Sequence, residues 1–495
     1  MAELFFTSDT HSYVFPTDYI SDEKRNMGYI AAASQFADGA IIADGGDVLQ
    51  GSPLIRYELE KGIRPFTAAE AFNRAGLSIY TPGNHDFNFG YDTLRDFLTS
   101  LEADTVAANL IDERGELDVR RFVIKDTSDG LRLLFVGVIT DYVNIWEKKE
   151  NLEGLKIIDS VRAAKEALEE GRKFSPDFTV CIYHGGFDDN ETGEIKENRG
   201  MELAHLGFDV LLTAHQHAII EPKRIGTAIT LQTGSKAMHY ARLVFKHDRS
   251  IEAEILATDG SLPLKKCFQA MDDTVEKQVL LSLKEPIGRI NGVLLDSSKL
   301  ESAVHGSSLA DFFGDIQLGF SGADVSAVSL FNDPVSLGPV VTLGGLLASY
   351  PFANTLLKLR LTGAMLKEAM ERSAAYFDAE DGNVRISDRF TIPKEEHYNY
   401  DFYRGVSYAF DIRKPLGQRV VHLMLGNTDL LKNPDKELTI VLNSYRATGT
   451  GGYGVYRKAE VLECYSQEVQ DLLIGYFKKE DDIKIPEKTG FALIY

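Results

Sequence analysis

At 495 residues the chain is too long for one ordinary core, and two domains are expected. Its hydrophobic fraction of 44% suits a packed globular protein, while a net charge of −21 argues against binding polymeric nucleic acid or an anionic membrane. The scattered cysteines Cys181, Cys267 and Cys464 imply no disulfide framework, no run approaches a transmembrane span, and no basic-then-apolar leader precedes Asp9, so a cytoplasmic location is expected.

Residues 1–258 alternate two patterns. Apolar runs at 4–6, 40–43, 77–80, 133–139, 178–183 and 208–213 read as strands, and amphipathic stretches at 28–36, 66–75, 91–101 and 160–170 read as helices. This is the signature of a layered α/β domain, in which sites collect at the C-terminal ends of strands. Polar clusters stand at those ends. The first run leads to Asp9 and His11, and the second to Gly45-Gly-Asp47, with Ser52 placed to cap the helix-like segment after Gly51. The third ends in Gly83-Asn84-His85-Asp86, and the later ones in His184-Gly-Gly and His215-Gln-His217.

Asp9, His11, Asp47, Asn84, His184, His215 and His217 mix oxygen and nitrogen donors, which suits Mn, Co, Zn or Fe better than Mg or Ca alone. They are more donors than one tetrahedral site takes, and they fit two divalent ions sharing a carboxylate. A single histidine ending a strand is more often a hydrogen-bonded structural residue. Five such clusters in one half of a chain point to a common site.

The pattern breaks near 259–275, so the domains are placed at 1–262 and 290–495, with a linker and connecting helix over 263–289. The second half has no cluster of metal-ligand type. It is rich instead in Gly and aromatic motifs, including Tyr398-Asn-Tyr400-Asp-Phe-Tyr and Asn443-Ser-Tyr-Arg446-Ala-Thr-Gly-Thr-Gly-Gly-Tyr453.

In this order and spacing, the N-terminal clusters resemble the calcineurin-like metallophosphoesterases. The C-terminal motifs, with Tyr350–Leu356 and Leu361–Ala369, resemble the substrate-binding domain of the 5′-nucleotidase family. The resemblance implies a four-layer αββα sandwich followed by an α+β nucleotidase domain. It implies one metal on Asp9, His11, Asp47 and His217, and a second on Asp47, Asn84, His184 and His215. His85 would face the scissile phosphate, with Asp86 either orienting it or serving structurally. The substrate would be a small nucleotide, its base stacked between Tyr400 (or Tyr398) and Tyr453.

Three departures matter. The stretch Ser329-Leu-Phe-Asn332 to Gly338, where an arginine usually grips the phosphate, has none, which leaves Asn332 there and makes Arg446 the candidate replacement. His217 stands where Asn or Gln is usual, and Asn88 where an aspartate is usual. These resemble the bacterial 2′,3′-cyclic-nucleotide 2′-phosphodiesterase/3′-nucleotidase branch, with 5′-nucleotidase or UDP-sugar hydrolase as the alternative. A protein phosphatase and a non-catalytic nucleotide sensor are the readings from other classes. A monomer or weak homo-oligomer is expected.

Overall fold

A computed structural model describes all residues except 188–195, 295–297, 333, 352–353, 381–382, 393–394 and 481–482. Asp333, Phe352 and Ala353 of the C-terminal motifs therefore lie outside the described residues. The chain divides into two compact units, Met1–Leu280 and Leu281–Tyr495.

In the first unit the apolar runs become strands β1 (Ala2–Thr7), β2 (Ile41–Asp44), β3 (Ile79–Tyr80), β4 (Phe178–His184) and β5 (Val210–Thr213). β1, β2 and β3 run parallel at the middle of a seven-stranded sheet, and β4 and β5 run parallel within a six-stranded one. Parallel pairing brings the ends of neighbouring strands level: Thr7 pairs with Asp44, and Asp44 with Tyr80. Such registration within each sheet levels loops whose candidate ligands stand as far apart in sequence as Asp9 and His217.

The sheets stack face to face. Leu4, Phe6, Ala43 and Ile79 of one meet Phe135, Val180, Ile182 and Leu212 of the other in a shared buried core. Alternate residues of the six-stranded sheet, Leu134, Val136, Cys181 and Leu211, point the other way and pack on Ala163, Ala164, Ala167 and Leu168 of the helix Ser160–Gly171. On the far side of the seven-stranded sheet, Tyr80 packs against Phe72 and Phe97 of the helices Thr67–Ala75 and Gly90–Ser100. The expected αββα order of layers results from this period-two alternation. Both sheets are completed by strands Ile219–Ile225, Ala228–Thr233, His239–Phe245 and Ile251–Ala257.

Much of the segment expected as a linker belongs to the first unit. Lys265 Nζ donates to Phe36 O at 2.7 Å, Arg74 donates to Cys267 O at 2.9 Å, and Glu276 accepts from Thr17 at 2.5 Å.

The second unit is built on a five-stranded sheet in the order Asp401–Arg404, Val325–Ser329, Glu437–Asn443, Thr355–Thr362 and Glu460–Glu468. One face buries Ala327, Leu359 and Ile440 with Leu366 and Met370 of the helix Gly363–Ala374; the other buries Val328 and Val441 with Phe312 and Phe313 of the helix Ser308–Ser321. Among the described residues, no helix is long and apolar enough to cross a membrane.

Candidate metal centre and nucleotide-binding residues

The loops leaving the strand ends carry the seven expected ligands, and most of them sit in an unusual backbone conformation. Asp9, His11, Asp47, His215 and His217 have φ of 51°, 50°, 60°, 73° and 54°. The left-handed region is unfavourable for residues other than glycine, although Asp, Asn and His tolerate it best, and such strain gathers at functional sites.

Two donor sets share Asp47: Asp9, His11, Asp47 and His217 converge, and so do Asp47, His184 and His215. Asn84 joins the second set, its Oδ1 standing 3.1 Å from His184 Nε2 and 2.9 Å from His215 Nδ1. The residues fit a pair of cations for a reason visible in their hydrogen bonds. His184 directs Nδ1 to Gly45 O at 2.5 Å, and His215 directs Nε2 to Glu197 Oε1 at 2.9 Å. Each ring thereby spends one N–H outward and aims its other nitrogen at oxygen acceptors. Asp47 Oδ2 is buried without a well-formed hydrogen bond, 3.2 Å from His184 Nε2. Acceptors that converge in a buried place need positive charge. Burial opposes the charged form of His184, but the Asp47 carboxylate, together with Asp9 and the Gly45 carbonyl, outweighs it and raises the ring to about 10. Burial likewise raises Asp9 to about 6, with Asp47 adding to the effect, and lowers His11 to about 4.

His11 directs Nδ1 to Gln50 O at 2.8 Å, and its Nε2 lies 2.9 Å from His217 Nε2, which is also 3.5 Å from Asp9 Oδ1. Asp86 answers the question left open about it. Its carboxylate accepts from the backbone N–H groups of Gly83, Asp47, Val48 and Leu49 at 2.7–3.1 Å and from the Tyr80 hydroxyl at 2.6 Å. It pins the Asp47 loop to the Asn84 loop and is a positioning residue, not a partner of the His85 ring. His85 instead donates its backbone N–H to Asp47 Oδ1 at 2.7 Å, and its Nδ1 lies 2.8 Å from Asn88 Oδ1. Ser52 caps the helix Pro53–Lys61 by accepting from Ile55 N, as expected.

The family model for calcineurin-like phosphoesterases matches residues 3–218, and that for the 5′-nucleotidase C-terminal domain matches residues 286–458. The chain joins a calcineurin-like phosphoesterase domain to a 5′-nucleotidase C-terminal domain. The 2′,3′-cyclic-nucleotide 2′-phosphodiesterase/3′-nucleotidase of Yersinia enterocolitica is 25% identical over 90% of this chain and 81% of its own. The trifunctional nucleotide phosphoesterase protein YfkN of Bacillus subtilis is 21% identical over 98% of this chain, which spans only 38% of that protein. Among solved structures, a Staphylococcus aureus protein described as a candidate 5′-nucleotidase, in complex with alpha-ketoglutarate, matches with a TM-score of 0.86 at 29% identity, covering all of both chains. These relatives are nucleotidases and phosphoesterases, and the chain is a hydrolase of that kind.

In the nucleotidase domain the structure redistributes the expected roles. Arg446 is 1% exposed and pairs with Asp401 at 3.0 Å, while its remaining N–H groups donate to Asn399 Oδ1, Thr450 O and Tyr398 O at 2.7–3.2 Å. Its guanidinium also lies 4.2 Å from the centre of the Tyr453 ring. Buried, and with Nε and both terminal nitrogens engaged, Arg446 holds two loops together rather than presenting its fork to a phosphate. Tyr453 is buried, bonded to Ser373 Oγ at 2.8 Å and Asn399 O at 3.0 Å, and stacked on Tyr456. Tyr400 is buried among Tyr376, Phe377 and Phe402. Neither ring offers a face to a base as placed. Tyr398 is half-buried, and its edge-to-face neighbour is the half-buried Tyr445, 6.4 Å between ring centres. Asn332 bridges backbone, donating to Glu395 O at 2.9 Å and accepting from His397 N at 3.0 Å. Replacing Arg446 with alanine is expected to cost about 3–5 kcal/mol, because Asp401 would be left buried and unpaired. Urea unfolding of the purified variant checks this.

The sequence reading missed Glu147, which receives the Asn88 side chain; Glu197, which receives His215; and Trp146, whose ring lies 5.1 Å from that of His215. No local pattern marks them, since each reaches its partner from a distant segment.

Proposed function

We propose that the protein hydrolyses phosphate esters of nucleotides at a two-metal centre held by Asp9, His11, Asp47 and His217 on one side and Asp47, Asn84, His184 and His215 on the other, and that 2′,3′-cyclic nucleotides and 3′-nucleotides are its substrates. The observation that carries the centre is the shared Asp47 between two converging donor sets. Divalent ions bound there supply Lewis acidity toward the phosphoryl oxygens and a nucleophilic water at neutral pH. His85 directs Nδ1 at Asn88, which leaves its Nε2 toward the reaction, able to take a proton and pass it to the leaving oxygen. With a cyclic substrate, water adds to phosphorus, the bond to O2′ breaks, and a proton passes to O2′ to leave a 3′-phosphate. A second hydrolysis at O3′ releases the nucleoside.

The cyclic reading rests on Asn88 beside His85, on His217, and on relatives of that name. A 5′-nucleotidase is supported equally by the Staphylococcus aureus structure. The two are separated by phosphate and nucleoside release, with Mn supplied, from 2′,3′-cyclic AMP, 3′-AMP, 5′-AMP and UDP-glucose. Preference for the first two supports the proposal, and preference for 5′-AMP overturns it in favour of the second reading.

For the base we propose the Tyr398–Tyr445 pair. Stacking contributes about 1–3 kcal/mol per base, so Tyr398→Ala or Tyr445→Ala is expected to raise KM about tenfold to a hundredfold with little change in kcat. Unchanged KM in both would remove the pair from the binding site.

A further inference from the structure

His85 has no carboxylate three residues on, yet one is supplied from elsewhere. Asn88 Oδ1 lies 2.8 Å from His85 Nδ1, and Asn88 Nδ2 donates to Glu147 Oε2 at 2.5 Å. The other oxygen of Glu147 accepts from Asn151 Nδ2 at 2.8 Å and from Lys148 N at 2.8 Å, and Asn151 Nδ2 also donates to Asn88 O at 2.7 Å. The arrangement has a direction. A carboxylate only accepts, so it must face the amide nitrogen of Asn88. The amide oxygen is then forced toward His85, and an acceptor there requires the proton on Nδ1 of a neutral imidazole. Turning the amide over would set its oxygen against the acceptor-only carboxylate, a repulsion that no change of the His85 tautomer relieves.

We infer that Glu147 is a positioning residue: acting through Asn88, it fixes the tautomer and orientation of His85 so that Nε2, free of its proton in the neutral ring, faces the reaction. Asn88 and Glu147 together take the place of a directly bonded carboxylate, at one remove and with no charge in contact with the ring. The inference rests on the phosphoesterase reading only for the identity of what Nε2 meets.

The test compares wild type, Glu147→Ala, Glu147→Gln, Asn88→Ala and the double variant Asn88→Ala/Glu147→Ala. Turnover is measured on whichever phosphate ester the wild type prefers. Independently, the His85 tautomer is read from nitrogen-15 histidine spectra at a pH where an ordinary imidazole is neutral, with His85→Gln assigning the signal. Glu147→Ala is expected to lower kcat about tenfold to a hundredfold with KM held, the range seen for residues that orient functional groups. Glu147→Gln still offers Asn88 Nδ2 an acceptor oxygen but sets its amide N–H group against Lys148 N and Asn151 Nδ2, and is expected to recover part of that loss. The double variant is expected to be no worse than Asn88→Ala, since both changes cut one chain of bonds. The spectra should show an Nδ1–H His85 in the wild type and in Glu147→Gln, and a mixed population in Glu147→Ala. Losses that add in the double variant, an Nε2–H tautomer in the wild type, or Glu147→Ala matching the wild type in both kcat and tautomer would each overturn the inference. If the wild type hydrolyses none of the esters while the tautomer pattern holds, the proposed function fails and the relay stands.

Discussion

Asp47→Ala is expected to empty both metal positions and to lower turnover by more than about a hundredfold, since losing only a residue that orients a ligand costs 10–100-fold in affinity or activity. Asp47 belongs to both donor sets, so no other single ligand has this effect. Its role is also mechanical, because Oδ1 accepts the His85 backbone N–H at 2.7 Å and the Asp47 carbonyl accepts His11 N at 2.9 Å. Alanine at φ 60° adds backbone strain of roughly 1–2 kcal/mol. Asp47→Asn, which tolerates that conformation better, therefore separates strain from ligation. Metal content after dialysis should fall in both variants, and retention of both ions in Asp47→Asn would show that Asp47 is not shared.

Gly83→Ala is the second large effect, and its cause is space alone. Gly83 is extended, at φ −99° and ψ −179°, so alanine meets no dihedral penalty there. A Cβ would lie 2.2 Å from Asp47 Oδ1, 2.5 Å from Asp47 N and 2.5 Å from His184 Cε1. No atom can occupy that position, so the Asp47 and Asn84 loops must separate, breaking the bonds through which Asp86 clamps them. Overpacking of this kind costs about 1–3 kcal/mol, and the separated ligands should lose metal as well. Thermal unfolding together with metal analysis checks it. A variant that melts like the wild type and keeps its metals would show that the loops are slack.

The convergence of the candidate metal ligands was legible in the sequence because they obey a local rule: each follows an apolar run that becomes a strand, and parallel pairing of β1, β2 and β3 and of β4 and β5 does the gathering. Roles that depend on burial were not legible. Tyr398 and Tyr400 lie two residues apart in one motif, but the second ring enters the aromatic core while the first stays half-buried. Arg446 looked like a replacement for the missing arginine until its fork met Asp401 and three further acceptors. Likewise Asn88 looked like a lost dyad, and only the fold brings Glu147, 59 positions away, to restore a carboxylate behind it. Two of the strands that complete the sheets, Ile219–Ile225 and Ile251–Ala257, carry no apolar run, since they are half exposed and interleaved with charge.

The most direct test of the two-metal account is the number of Mn ions bound per chain at saturation, measured by equilibrium dialysis of the wild type beside Asp47→Asn. The single tryptophan, Trp146, lies against His215 and gives a fluorescence signal for filling of the second position. The account predicts two ions per wild-type chain, a fluorescence change on filling, and loss of both ions in the variant. One ion per chain, unaffected by the change at Asp47, would contradict it.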